Sequence, residues 1–468
     1  MANDSERLHQ TWLNSDRAIP RRFVRPALRF ADTEAASGVV LLAAAVLALL
    51  WANSLWGESY FSFWGTKLTI ELGSFHFEET LKDIVNDGLM AIFFFVVGLE
   101  IKRELVVGEL NSMRKAALPA MAALGGMVVP ALIYVAFVAS SNGGDAIAGW
   151  GIPMATDIAF SVGVIALLGS RVPVGAKLFL LALAIVDDIG AILVIAVFYT
   201  ADLSIIWLAV AAGALFLLFT ARQAGIRSIA VYLPLALIVW FSFLESGVHA
   251  TIAGVILGLM VPARAMYSDL EFRRRARWIL ERFDMNAASP DARERLDQDA
   301  LELEAIARES VPPLERFEHR LHRFSSFIVV PLFALANAGI RFADLDVIAA
   351  IFSPIALGVS VGLVLGKPVG IALATWIGLR LKLGELPRNV RFSHVIAIGV
   401  LAGIGFTVSL FIAELAFRSS DMAVILTDEA KIGIFLGSAI AGIAGYFLMR
   451  RMTASPAEGA EAVETGSP

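Results

Sequence analysis

Four charged residues lie in stretches of the sequence that are otherwise apolar. Asp187 and Asp188 are adjacent within "LALAIVDDIGAILVIAVF", where every other residue is apolar or glycine, and Asp157 and Lys367 lie in two further apolar runs. A charge at the centre of a membrane segment costs roughly 2.5 to 3.5 kcal/mol. A purely structural ion pair is the simplest interpretation. One lysine cannot neutralise three aspartates, however, so at least one carboxylate needs a proton, a cation or water.

The adjacent pair indicates what that chemistry would be. Neighbouring residues on a helix point about 100° apart, so Asp187 and Asp188 cannot both face one partner. One can pair with Lys367 while the other faces a cavity. Carboxylate oxygens suit small hard cations, and burial favours a protonated carboxyl group whereas a nearby ammonium favours the ionised form. The pattern predicts a cation site that also accepts protons.

The composition identifies the class of protein that holds these charges. Of the 468 residues, 58% are hydrophobic and 17% are charged, and the mean hydropathy is +0.74. A soluble protein of this length could not cover so much apolar surface, so we predict a polytopic membrane protein. The absence of cysteine excludes disulfides, thiolate metal sites and cysteine nucleophiles. Residues 1–30 lack an apolar signal-peptide core, so the first apolar run is expected to be an uncleaved anchor.

The apolar runs predict an all-α fold of twelve transmembrane helices. The runs are 36–53, 83–101, 116–139, 147–169, 174–199, 203–220, 228–244, 248–262, 325–340, 348–379, 393–416 and 430–449.

Lysine and arginine predict the orientation of these spans. Twelve spans place both termini on one side, and if that side is the cytoplasm, inside segments hold 32 of the 38 basic residues. The outside segments hold five, and Lys367 lies within span ten. This bias predicts a multi-pass protein with both termini in the cytoplasm.

The segments between the spans complete the predicted organisation. An alternating stretch in 59–79 indicates a small extracytoplasmic β-hairpin. The charged cytoplasmic loop carries apolar residues at helical spacing before Pro312, which indicates an amphipathic helix, and the low-complexity end of the chain is predicted to be disordered. The predicted units are the N-terminal tail 1–34, spans one to eight in 35–262, the loop 263–323, spans nine to twelve in 324–451 and the C-terminal tail 452–468.

Two spans are interrupted by glycine and proline. Span four contains "GWGIPMATDIAF", with Thr156 and Asp157 after the break, and span eleven contains "LAGIGFTVSLF", with Gly403 and Gly405 before Thr407. Each is the middle member of a three-span group, which predicts an inverted-repeat core whose two unwound helices cross at the binding site. A tolerated kink is the simpler alternative for either one.

The ends of half-helices carry partial charges, and two of the buried charged residues have the opposite sign needed to offset them. Asp157 is expected to offset converging helix N-termini, and Lys367 converging C-termini.

These features resemble the bacterial NhaA-type sodium/proton antiporters, and the resemblance extends between residues 31 and 450. It rests on seven stretches, which are "NDGLMAIFFFVVGLEIKREL", "IPMATDIAFSVGVIALLGSRVP", "LALAIVDDIGAI", "SGVHATIAGV", "PLFALANAG", "LGKPVGI" and "GIGFTVSLFIA".

The resemblance implies a role for each buried charge. Asp188 is expected to be the main cation ligand, and Asp187 its proton-titrating neighbour paired with Lys367. Thr156 and Asp157 are expected at the crossing of the unwound helices, with Thr156 joining the two aspartates around transported Na⁺. This Na⁺ is cargo, so we expect no resident cofactor and no enzymatic activity.

The resemblance also implies a pH-responsive cluster on the cytoplasmic side. Without the resemblance, the charged residues of this cluster would be interpreted as a solvated helix face, although histidine titrates near neutral pH. His249 matches another position linked to pH response, and Asp87 a further acidic position at the outer end of span two. The loop before "FEHRLH" is longer than we expect for the family. The matching cluster positions are Glu100, Arg103, Glu104, Glu318, His319 and His322.

The function implied is pH-regulated, electrogenic exchange of cytoplasmic Na⁺ or Li⁺ for external H⁺, for sodium and pH homeostasis. The expected location is the bacterial inner membrane, with lipids and a second copy as partners, the latter through the 59–79 hairpin. We expect no nucleic-acid partner. Two rivals stay open: a sodium-coupled symporter of an organic anion on a related fold, and a membrane-embedded hydrolase using Asp187 and Asp188. An adjacent pair on one helix argues against the hydrolase, which needs close carboxylates, usually from different helices.

Overall fold

The structure is a computed structural model that describes residues 35–72, 75–141, 144–200, 203–226, 228–286 and 292–453. The predicted N-terminal tail, and the C-terminal tail apart from its first two residues, lie outside the described residues. The described chain is mostly helical and has one two-stranded sheet. The helices are α1 (Ala36–Ala52), α2 (Gly57–Trp64), α3 (Leu81–Val106), α4 (Met113–Ala139), α5 (Ile158–Leu168), α6 (Val174–Phe198), α7 (Ile205–Gln223), α8 (Ile229–Glu245), α9 (Ala250–Met260), α10 (Asp269–Asn286), α11 (Ala292–Glu309), α12 (Pro313–Phe324), α13 (Val330–Asn337), α14 (Val347–Ile351), α15 (Pro354–Arg380), α16 (Phe392–Ala402), α17 (Phe406–Ala416) and α18 (Ala423–Thr453).

Seven helical segments of the described chain are long and apolar enough to cross a membrane, and the number rises to nine if each of two bent pairs counts as one span. The bent pairs are α1 with α2, at 114°, and α16 with α17, at 48°. Three predicted spans correspond to shorter helices, namely α8, α9 and α13. Predicted span four combines the 3-10 segment Gly144–Met154 with α5.

The segment between α1 and α3 combines a helix and a hairpin. Strands β1 (Lys67–Leu72) and β2 (Phe75–Thr80) pair antiparallel, with Lys67 opposite Thr80. The predicted hairpin began at residue 59, but the residues before β1 form α2. Tyr60 and Trp64, one helical turn apart, are buried. The single Tyr60 hydroxyl hydrogen is shared between the carbonyls of Leu335 and Ala336, at 2.9 Å and 3.0 Å from the hydroxyl oxygen. Aromatic burial on one face therefore favours a helix over a strand here.

The helix that carries Lys367 packs tightly against α4. A Cβ atom added to Gly125 would overlap the Gly370 carbonyl group, and one added to Gly370 would overlap that of Gly125. Small residues permit this close approach of two helix backbones in an apolar environment. The contact lies one helical turn from Lys367 and fixes where its side chain enters the bundle.

The charged loop forms a two-helix hairpin of α10 and α11. Ile279 and Ile306 are buried between them, and Arg282 lies 2.5 Å from Asp299 across the pair. We refer to α10 and α11 as the insert hairpin. The sequence predicted one amphipathic helix in this loop, and α10 is an additional one.

Candidate functional site

The two interrupted spans meet at their breaks. Residues 155–157 lack helical structure between the 3-10 segment and α5, as do residues 404 and 405 between α16 and α17. The Asp157 N–H donates to the Ile404 carbonyl at 2.6 Å, and the buried Thr156 hydroxyl donates to the Ala402 carbonyl at 2.9 Å. Each break therefore supplies hydrogen bonds that the other has lost, as apolar surroundings require.

Two serine hydroxyls extend this contact on either side. Ser161 donates to the Leu401 carbonyl at 2.9 Å, and Ser409 donates to the Ile152 carbonyl at 2.8 Å. One bond runs from α5 to the end of α16, and the other from α17 to the 3-10 segment. The two segments are thus joined reciprocally, since each donates from the helix that follows its break.

Asp157 joins the first turns of two helices. Its Oδ1 accepts from the Phe160 N–H at 3.1 Å and caps α5. Its Oδ2 accepts from the Thr407 N–H at 3.1 Å and from the Thr407 hydroxyl at 2.5 Å, at the start of α17. A carboxylate here offsets the partial positive charge of both N-termini. The structure thus brings together residues that the sequence placed 250 positions apart.

Lys367 is fully buried and contacts the same region from α15. Its Nζ lies 2.5 Å from Asp187 Oδ2, and neither side chain is exposed to solvent. It also donates to the Thr156 hydroxyl at 3.0 Å, which itself donates to the carbonyl at the end of α16. The ammonium group therefore lies near a helix C-terminus, where a cation is favoured.

Asp188 is the buried carboxylate that these contacts leave over. It is 6% exposed, and it makes no hydrogen bond or ion pair with any residue in the described ranges. An unpaired buried carboxylate is costly unless it holds a proton or a cation. The arrangement therefore provides one oxygen-ligand group whose charge is balanced by neither Lys367 nor a helix end.

The glycines of the second break allow close packing. A Cβ atom on Gly403 would overlap the Leu363 carbonyl group of α15. The Gly405 N–H donates to the Ser438 hydroxyl at 3.3 Å. Together these contacts hold the break between α15 and α18.

A second cluster joins α3 to α12 away from the breaks. His322 Nδ1 lies 3.2 Å from Glu100 Oε1, and Arg103 forms ion pairs with Glu318 and, at 3.5 Å, with Glu104. Burial raises the pKa of the Glu318 carboxyl group against the opposing charge of Arg103. The hydrogen bond to Glu100 raises the pKa of the His322 imidazole. This cluster can change its charge near neutral pH.

Three predicted residues lie apart from both groups. His319 is exposed and makes no contact with the cluster in the described chain. His249 is the N-cap residue that precedes α9, and its Nε2 lies 2.7 Å from the Tyr199 carbonyl oxygen. Asp87 is buried in α3, and its Oδ2 lies 3.7 Å from an Arg418 nitrogen.

A buried ion network was not anticipated as a unit. Glu414 lies 2.7 Å from Lys82 Nζ and 3.2 Å from Lys431 Nζ, and Lys431 is 5% exposed. Lys82, Glu414 and Lys431 lie far apart in the sequence, and only the fold brings the three side chains together. The signal available was the presence of two lysines in segments that were predicted to lie outside, where basic residues are scarce.

Comparison with known proteins identifies the family of this chain. The family model described as Na+/H+ antiporter 1 matches residues 28–449. The chain is 47% identical over 434 residues to Na(+)/H(+) antiporter NhaA of Oleidesulfovibrio alaskensis, an alignment that covers 92% of this chain and 94% of that protein. The corresponding protein of Syntrophobacter fumaroxidans is 45% identical over 430 residues, covering 91% and 90%. Since the matches cover nearly the whole of both chains, this chain belongs to the NhaA-type Na⁺/H⁺ antiporter family.

Proposed function

We propose that the protein is a secondary transporter that exchanges cytoplasmic Na⁺, or Li⁺, for external H⁺. The observation that carries this proposal is the buried, unpaired Asp188 beside the Asp187–Lys367 pair, where the two helix breaks meet. A carboxylate in this position binds either a proton or a small hard cation. The relatives are named as antiporters, so the same chemistry is proposed here rather than an enzymatic reaction.

Transport would use the two breaks as the fixed centre of an inverted-repeat core. Twelve crossings, with three shorter helices completing the count, would place both termini in the cytoplasm of a bacterial inner-membrane protein. The reciprocal bonds of Ser161 and Ser409 support such a repeat, because each links one break to the other in the same sense. Rocking of this core against the remaining helices would expose Asp188 alternately to the two sides.

Two carboxylates allow more than one proton to be exchanged for each cation. Asp188 would release its proton when Na⁺ binds, and Asp187 would be protonated whenever its contact with Lys367 opens. Exchange of two protons for one Na⁺ moves net charge, so transport would be electrogenic. Thr156 would add a neutral oxygen ligand for the cation.

Regulation by pH would act through the cluster between α3 and α12. Glu100, Arg103, Glu104, Glu318 and His322 link a helix of the bundle to the segment that follows the insert hairpin. Protonation of one imidazole changes the number of ion pairs across that junction. A homodimer would form through β1 and β2, which follow α2 and precede α3 in the chain.

The test is proton movement in everted membrane vesicles that hold an acid interior. Addition of Na⁺ or Li⁺ should release protons from the vesicles, whereas K⁺ should not. Vesicles that carry the Asp188→Asn variant at equal abundance provide the matched control. Stimulation by Na⁺ of organic-anion uptake, without proton movement, would favour a symporter and reject the exchange proposed here.

A further inference from the structure

The insert hairpin has two helices of opposite charge character. Helix α10 carries five arginines against four acidic residues, whereas α11 carries three arginines against six acidic residues. Four arginines of α10 are exposed between residues 273 and 281, with one exposed glutamate. The basic side of the hairpin is therefore the outer surface of α10.

One stripe of α10 combines this positive charge with apolar side chains. Leu270, Arg273, Arg274 and Arg277 recur at helical spacing and lie on one face. Leu270 is 73% exposed, and Trp278, next along the stripe, is 54% exposed. The three arginines form no ion pair with any residue that the structure describes. Glu281 ends the stripe.

The base of the hairpin is fixed close to the apolar bundle. The Leu314 N–H donates to the Pro262 carbonyl at 3.1 Å, and the Met266 N–H donates to the Glu309 carbonyl at 2.9 Å. Pro262 lies two residues beyond the end of the apolar helix α9. The apolar helix α9 is part of the bundle, and α10 begins at Asp269, nine residues after α9 ends at Met260.

We propose that α10 lies on the surface of the membrane and binds anionic lipid headgroups through its Arg273, Arg274 and Arg277 stripe. Exposed arginines interspersed with leucine and tryptophan are typical of helices that lie in the plane of a bilayer interface. The acidic α11 then faces away from the headgroups, so the charge polarity fixes which helix makes contact. The identity of this leaflet as the cytoplasmic one rests on the proposed orientation, but the contact itself does not.

The expected strength follows from the charge of the stripe. Each arginine near an anionic leaflet contributes roughly fivefold to surface partitioning, and together three contribute on the order of a hundredfold. Salt should weaken the contact, because exposed charges are screened within about 10 Å at 0.1 M ionic strength. Trp278 and Leu270 would add contacts that salt does not remove.

The test uses the full chain in lipid nanodiscs and needs no background mutation, because the protein has no cysteine. A nitroxide label on Leu270→Cys reports its accessibility to a water-soluble nickel chelate and to membrane-dissolved oxygen. In discs with phosphatidylglycerol, nickel access should fall and oxygen access should rise relative to pure phosphatidylcholine. The same label on Gln298→Cys of α11, which is exposed, should stay accessible to nickel in both lipids.

Two further arms separate lipid binding from other contacts. High salt should restore nickel access to the Leu270→Cys label without any further change of sequence. Nickel access should also be restored, at every phosphatidylglycerol fraction, by the combined substitutions Arg273→Gln, Arg274→Gln and Arg277→Gln. Equal accessibility in the two lipids would overturn the proposal. Protection that persists in detergent would overturn it as well, because it would assign the stripe to a second copy of the chain. Neither result depends on Na⁺/H⁺ exchange.

Discussion

Lys367 Nζ lies 2.5 Å from Asp187 Oδ2 in a contact that solvent does not reach. The three buried aspartates of the site differ in the partners that they contact. Asp187 is paired with the ammonium group, Asp157 is held by donors at the starts of α5 and α17, and Asp188 has neither partner. A charge count predicted that at least one carboxylate would be left over, and among the described residues Asp188 is the one of these three aspartates without such a contact.

Removal of the ammonium group should destabilise the protein more than it alters the cation site. Lys367→Ala leaves Asp187 buried without its partner, and breaking such a pair costs about 3–5 kcal/mol. We expect a lower thermal midpoint in detergent and an altered pH dependence of exchange. Lys382→Ala, an exposed substitution in the loop after α15, is the control. An unchanged midpoint for Lys367→Ala would contradict an energetically important pair.

Removal of charge from Asp188 should abolish exchange without affecting insertion. Asp188→Asn keeps the size of the side chain and removes the group that binds Na⁺ or H⁺, so proton release on Na⁺ addition should be lost. The measurement is the everted-vesicle assay at matched abundance. Asp421→Asn alters an exposed aspartate and should retain full activity. Wild-type exchange by Asp188→Asn would remove the central claim.

The hydroxyl group of Thr407 should stabilise the contact between the two breaks. Thr407→Val keeps the shape but removes the donor to the Asp157 carboxylate, which costs about 1–3 kcal/mol for a buried charged acceptor. The thermal midpoint in detergent should fall for Thr407→Val and stay close to wild type for Thr407→Ser. Equal midpoints for the two variants would mean that the Asp157–Thr407 hydroxyl bond contributes little.

The pH response should depend on His322, with a definite sign. The Glu100 carboxylate raises the pKa of His322, so the imidazolium–carboxylate tie between α3 and α12 is complete below the ordinary histidine pKa. It is lost as the pH rises through the raised value. We expect exchange to be activated when this contact is lost at rising pH. His322→Ala removes the contact at all pH values and should therefore shift activation towards lower pH. The measurement is exchange rate against pH with Na⁺ and with Li⁺.

One control and one further variant sharpen this test. His319→Ala alters an exposed neighbouring histidine and should leave the profile in place, whereas Glu318→Gln, which weakens the pair with Arg103, should shift it. A changed preference between Na⁺ and Li⁺ without any pH shift would contradict a purely regulatory cluster.

The sequence singled out the buried charged residues of the site, but not the contacts that hold them in place. Asp157, Asp187, Asp188 and Lys367 are conspicuous, because a charge in an apolar run is rare and costly. Ser161 is not, since a serine among apolar residues carries no sign of the carbonyl that it will meet 240 residues away. Long-range partners depend on the packing of the whole bundle.

The elements of the fold were likewise predictable where local sequence patterns define them, and not where long-range contacts do. Apolar runs located the apolar helices of the bundle, and alternation located β1, because both patterns are local. Helix α2 was assigned to the hairpin, since its burial depends on carbonyls of Leu335 and Ala336 that sequence spacing does not reveal. Helix α10 was overlooked, because its dense charges obscured the apolar face formed by Phe272, Ile279 and Phe283.

Sodium and protons should compete for the site, because a protonated Asp188 has lost its charge and one of its oxygens carries hydrogen. In the acidic range where the proton occupies the site, each pH unit should weaken apparent Na⁺ affinity about tenfold per competing proton. At higher pH the affinity should become constant. A symporter with separate proton and cation sites need not behave in this way.

The measurement is calorimetric titration of purified protein with Na⁺ between about pH 6 and pH 9, a range that brackets neutrality. Asp188→Asn under identical conditions gives the background heat, and K⁺ replaces Na⁺ in a second control. An Na⁺ affinity that does not change across this range, in protein that still transports, would show that the two ions occupy different groups. A tenfold change per pH unit would place both on the carboxylate that Lys367 leaves unpaired.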